Sequence, residues 1–89
     1  MINVLNIVFK IKTEGPMQKL INELSNKYEN QIEYIQSNRT EKLLYVVFRG
    51  NHPESKRIKK IDNISSVSIV DTDVTLVGFI LKQLHGNIN

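Results

Sequence analysis

Residues 7–24 read IVFKIKTEGPMQKLINEL, and residues 44–61 read LYVVFRGNHPESKRIKKI. A shift of 37 residues lays one on the other and carries Pro16 onto Pro53. Ile7, Phe9 and Ile11 then fall on Leu44, Val46 and Phe48, while Ile21 and Leu24 fall on Ile58 and Ile61. The match is one of pattern rather than identity, and Leu20 over Arg57 breaks it. It suggests two copies of a strand–loop–helix unit.

Each copy has a physical reading. Leu5, Ile7, Phe9 and Ile11 alternate with Asn6, Val8, Lys10 and Lys12, the period of a half-buried strand. Met17, Leu20, Ile21, Leu24 and Tyr28 then recur at helical spacing. Pro16 suits the first helical position, where a missing N–H costs nothing. QIEYIQ follows as a strand with Ile32 and Tyr34 on one face, and SNRTE is turn-like. KLLYVVFRG is rich in β-branched and aromatic residues and predicts a third strand. Asn51 or His52 can cap the second helix, with Pro53 in its first turn. That helix turns Ile58 and Ile61 inward and a basic face of Lys56, Arg57, Lys59 and Lys60 outward. SSVSIVD reads as the fourth strand.

This order predicts an α+β fold, the ferredoxin-like βαββαβ plait. Such a plait is a four-stranded antiparallel sheet with two helices on one face. It ends near Asp71, so the chain divides into a domain over 1–71 and a tail over 72–89. In the tail, Thr72 or Asp73 can cap a helix and Gly86 can end it. Val74, Val77, Ile80, Leu81 and Leu84 then form one stripe, with Leu76 and Phe79 off it. The alternative is a strand in which Val74, Leu76, Gly78 and Ile80 alternate. The sheet face away from the helices presents Val8, Lys10, Lys12, Leu43, Tyr45, Val47 and Arg49, an apolar middle with a basic edge. A patch of this kind marks an interface. The expectation is that a C-terminal helix packs there, within the chain or across a homodimer, through Val8, Tyr45, Val47, Val77, Ile80, Leu81 and Leu84.

The totals bound what such a domain does. With 89 residues there is room for one small domain, which buries a modest share of its surface. The hydrophobic fraction of 40% and charged fraction of 24% fit a folded chain. There is no Cys, so disulfide and thiolate chemistry are excluded. The opening residues lack the basic region of a signal peptide, and the apolar run over 74–81 is shorter than the roughly 20 residues that span a bilayer. A cytoplasmic protein without a membrane span is expected. The net charge of +3 and pI near 9.3 give a mild basic bias.

No motif points to catalysis, a metal or a cofactor. His52 and His85 fall at helix ends and read as caps. Asp71 and Asp73 read as a helix start with favourable dipole placement. Gly15, Gly50, Gly78 and Gly86 stand alone, so no glycine run cradles a phosphate. A non-enzymatic role is expected. The basic helix, with Lys56, Arg57, Lys59 and Lys60, leaves a nucleic-acid partner as the alternative, through that helix or through the open sheet face. Tyr45 is the one outward aromatic of the third strand, and the Gly-Phe-aromatic signature of RNA-recognition motifs is missing.

Two features resemble a known family. The Gly15 turn after the first strand, and IKKIDNISSVSIVD as a helix leading into a last strand beside the first, are similar to ACT-type regulatory domains over about three quarters of the chain. The resemblance implies a small-molecule sensor or dimerisation module whose domains pair side by side. It also implies a ligand near the loop of Thr13, Glu14, Gly15 and Pro16, with Met17 following. One departure stands out. The family places an acidic residue before Pro-Gly, whereas this chain has Glu14-Gly15-Pro16, and Pro16 removes an N–H that would meet a ligand carboxylate.

Overall fold

A computed structural model describes residues 6–50, 52–74 and 78–80, without the side chains of 71–74. Its elements are β1 (Asn6–Thr13), α1 (Met17–Tyr28), β2 (Ile32–Asn38), β3 (Leu43–Arg49), α2 (Ser55–Lys59) and β4 (Ile64–Val74). The chain is α+β, with one four-stranded antiparallel sheet ordered β2-β3-β1-β4.

Alternation in the two central strands sets the layers. Phe9 and Ile11 of β1, with Leu44, Val46 and Phe48 of β3, face one side and are fully buried. Met17, Leu20 and Leu24 of α1 and Ile58 and Ile61 from α2 and the turn after it pack on that same side. Each such side chain contributes about 1.5–3 kcal/mol on leaving water. Phe9 and Phe48 meet edge to face with centroids 5.1 Å apart, and Tyr28 closes on Phe48 at 5.9 Å.

Both prolines sit earlier relative to their helices than the sequence suggests. Pro16 is extended (ψ 128°) and is the N-cap of α1, so Met17 opens the helix. The second helix is only five residues long, starts at Ser55 and has Glu54 as its N-cap without a side-chain cap bond. His52 therefore caps nothing. Its ring lies edge-on to Phe9 at 5.5 Å, and its Nδ1 stands 3.0 Å from the Pro53 carbonyl oxygen. Asn51 lies outside the described residues.

Two further expectations are corrected. Ile32 and Tyr34 do not share a face. Ile32 pairs with Phe48 and Tyr34 with Val47, so β2 advances two residues where β3 advances one. This bulge at Glu33 sends Ile32 and Ile35 to the helix side and Tyr34 to the other. The fourth strand does not end at Asp71. It runs through Val74, taking in Thr72, Asp73 and the first residue of the expected helical stripe.

Candidate functional site

The loop after β1 is built by the chain's own hydrogen bonds. The Thr13 N–H donates to the Lys42 carbonyl (3.1 Å), and the Glu14 N–H donates to the Asn63 carbonyl (2.7 Å). The Thr13 hydroxyl donates to the same Asn63 oxygen (3.2 Å) and accepts from the Gly15 N–H (3.1 Å). Asn63 closes the turn between α2 and β4 in the left-handed region, at φ 72°. Gly15 passes so near it that a Cβ on Gly15 would stand 2.8 Å from the Asn63 Cβ.

The crevice between Thr13, Pro16, Leu20 and Asn63 measures about 10 Å³, room for a single water. Thr13 and Met17 are buried. Of the residues expected at a ligand loop, Thr13 and Met17 thus belong to the interior, and the Glu14 and Gly15 N–H groups already have partners. Gly15 is there because Asn63 leaves no space for a side chain.

The second sheet face carries the expected apolar middle, but it is already covered. Residues 78–80 are helical. Phe79 is 2% exposed and packs with Val8 and Val47, both at 0%. Its ring centroid lies 6.1 Å from that of Tyr34 and 6.4 Å from that of Tyr45. Ile80 packs beside it. Val8 and Val47, expected to meet the C-terminal tail within the chain or across a homodimer, pack on Phe79 of the same chain. The helical stripe missed Phe79, which is the anchor; Val74 belongs to β4, and Val77, Leu81 and Leu84 lie outside the described residues.

Beyond Phe79 the face carries mainly polar residues around Tyr45 and Leu43. Register places Gln36, Tyr45, Lys10 and Ser68 in one row across the four strands. The next row is Asn38, Leu43, Lys12 and Ser66. Neither row contains a carboxylate.

The basic face of α2 is solvated. Lys56, Arg57, Lys59 and Lys60 are all exposed, and Lys56 pairs with Glu54 at 3.2 Å. A shallow cleft of about 300 Å³ lies between Tyr28, Gln31, His52, Pro53, Glu54 and Arg57. On β3, Arg49 donates from Nε to the Glu33 carboxylate at the bulge. That bond holds the Glu33 carboxyl below its ordinary value and the Arg49 guanidinium above its own. Among the described residues, no three His, Cys, Asp or Glu side chains gather as metal ligands. His85 is outside them. No described helix is long and apolar enough to cross a membrane.

The two sheet edges differ. Pairing of β4 with β1 shifts register three times, between Asn6 and Val8, Val8 and Phe9, and Lys12 and Thr13. Ile69 and Val70, each 45% exposed, sit at the middle shift. On β2, register is unbroken from Tyr34 to Asn38, and that run, YIQSN, contains no charge, Pro or Gly. The signal for this edge is legible in the sequence as the uncharged run over 34–38.

No protein-family model, curated protein or solved structure matches the chain.

Proposed function

We propose that the chain is a ferredoxin-like plait that works as a non-catalytic regulatory and protein-interaction module in the cytoplasm, and that it pairs with a second copy through the outer edge of β2. The strand order and the packing of both helices on one face support the plait. The observation behind the pairing is the difference between the two rims. Edge strands attract further strands, and bulges, charges and prolines are the usual protection. The β4 rim is bulged three times, whereas residues 34–38 of β2 have none of these devices. A second β2 laid antiparallel would satisfy the outward N–H and C=O groups of both copies. The ACT-like resemblance, with its side-by-side pairing, agrees with this reading. Ligand sensing at Gly15 is left out of it, because the N–H groups of that loop are already bonded.

Sedimentation equilibrium tests the proposal. The full chain should be a dimer, and Gln36→Lys with Ser37→Lys should make it a monomer by charging both faces of the rim. Amides of residues 34–38 that face outward should exchange slowly in the dimer and fast in the variant. A monomeric wild type, or a variant that stays dimeric, rejects the edge.

A further inference from the structure

The lysines of the open sheet face have a chemistry of their own. Lys10 and Lys12 are two residues apart on the central strand, on one face, roughly 7 Å from each other along an extended chain. Their cross-strand neighbours are Tyr45 and Leu43 on β3 and Ser68 and Ser66 on β4. The amides of Gln36 and Asn38 extend the same two rows to the β2 rim.

Three of the other described cations keep an acid close, while Lys19, Arg39, Lys42, Arg57, Lys59 and Lys60 do not. Lys27 pairs with Glu23 at 3.3 Å, Lys56 with Glu54 at 3.2 Å, and Arg49 with Glu33. Lys10 and Lys12 form no ion pair among the described residues. Two like charges held side by side repel, and an anion laid between them offsets the repulsion. Lys12, Ser66, Ser68 and Asn38 are exposed, so the rows are open to solvent. The patch thus combines unpaired cations, hydroxyl and amide donors without a carboxylate, and one aromatic ring. Phe79 lies beside that ring, with centroids 6.4 Å apart and the planes tilted by 52°.

We infer that these two rows bind single-stranded nucleic acid. Successive phosphates lie against Lys10 and Lys12, the serine hydroxyls donate to phosphate or sugar oxygens, and a base stacks on Tyr45. A repeating anion with a flat group at each unit uses both the charge and the ring, which is the usual composition of a single-strand platform. A duplex buries its bases away from Tyr45. The basic face of α2 is a separate surface.

Fluorescence anisotropy of labelled oligo(dT), oligo(rU) and a matched duplex tests the inference on the full chain. Both single strands should bind better than the duplex. Two phosphate contacts predict that log K falls with log salt at a slope of about −1.4, near −0.7 for each phosphate. Lys10→Gln with Lys12→Gln should abolish that slope and weaken binding at least tenfold at low salt. Lys56→Gln with Lys59→Gln should leave both within twofold, about the scatter expected of a remote surface change. Amide shifts in the wild type should centre on Lys10, Lys12, Tyr45, Ser66 and Ser68, which keeps the test valid if the sheet variant folds poorly.

Three results overturn the inference. One is no binding up to about 100 µM, the weak end of non-specific affinity. Another is loss of binding in the α2 variant instead of the sheet variant. The third is displacement by poly-glutamate as readily as by oligo(dT), which assigns the rows to an acidic protein segment. Binding that survives at wild-type concentrations too low for dimerisation separates this inference from the dimer.

Discussion

Gly15 lies directly against Asn63, and a methyl group on Gly15 would approach the Asn63 Cβ to 2.8 Å. The pair joins two turns 48 positions apart in the chain, one leading into α1 and the other into β4. The obstacle is a Cβ fixed to left-handed backbone at φ 72°, so it cannot swing aside as a side-chain end would. The Asn63 carbonyl at the same point accepts from the Glu14 N–H and the Thr13 hydroxyl. The helix entry and the β4 entry are therefore one joint.

Gly15→Ala should accordingly destabilise the fold by about 1–3 kcal/mol, the usual cost of overpacking. A melting temperature lower by roughly 4–8 °C per kcal/mol would report it. Asn63→Gly suits the left-handed backbone and removes the obstacle. The double variant should then lose less than the two single losses combined, since residues in contact couple. Urea midpoints of the four proteins measure this cycle. Additive losses would mean that the two residues do not touch.

The alternation of β1 and β3 and the helical spacing of α1 were open to sequence reasoning, because each reports which residues leave water. The core residues Phe9, Ile11, Leu24, Leu44, Val46 and Phe48 follow from it. What stayed hidden depends on pairing between segments. The bulge at Glu33 has no local signature, yet it moves Tyr34 to the opposite face from Ile32. Asp71, Thr72 and Asp73 resemble a helix cap, but the ladder on β1 continues to Val74. Phe79 fell off the stripe because a stripe assumes one long helix docking along its length, whereas this ring reaches the sheet from a helical segment described over 78–80. The glycine turn was recognised, but its reason, Asn63, lies too far along the chain for any local pattern to reveal.

Phe79 is the anchor of the tail. Phe79→Ala should cost about 3 kcal/mol, at the lower end for a buried aromatic because one flank of the site is the tail itself. Phe79→Leu keeps most of the volume and should cost under about 1.5 kcal/mol. The alanine variant also uncovers Tyr34 and Tyr45. Iodide should quench tyrosine fluorescence more strongly in it than in the wild type, and unchanged quenching would refute the placement of Phe79.

Lys42 carries a left-handed backbone, φ 59°, at the end of the β2–β3 turn, where its carbonyl accepts from the Thr13 N–H. A residue with a Cβ costs about 1–2 kcal/mol there, and glycine gives part of that back through unfolded-chain entropy. Lys42→Gly should raise stability by up to about 1 kcal/mol. Lys42→Val should lower it, since a branched side chain fits that region worst. Thermal melts that rank valine above glycine would contradict the turn geometry.

Glu33 and Arg49 pair beside the bulge, and their bond pulls the Glu33 carboxyl below its ordinary value near 4.5. The unfolded chain therefore takes up the proton at a higher pH than the folded one. The pair's contribution to stability is complete above the unfolded value and is lost as pH falls through the folded one. Arg49 is exposed, so the contribution is small and screened by salt. Carboxyl NMR should place the Glu33 midpoint below the ordinary carboxylate value near 4.5. Arg49→Met should return it towards the ordinary value and flatten the acid limb of the stability curve. Salt near 1 M, where screening acts within about 3 Å, should bring wild type and variant together. A Glu33 midpoint that ignores Arg49→Met would show that the bulge, rather than the guanidinium, sets the carboxyl.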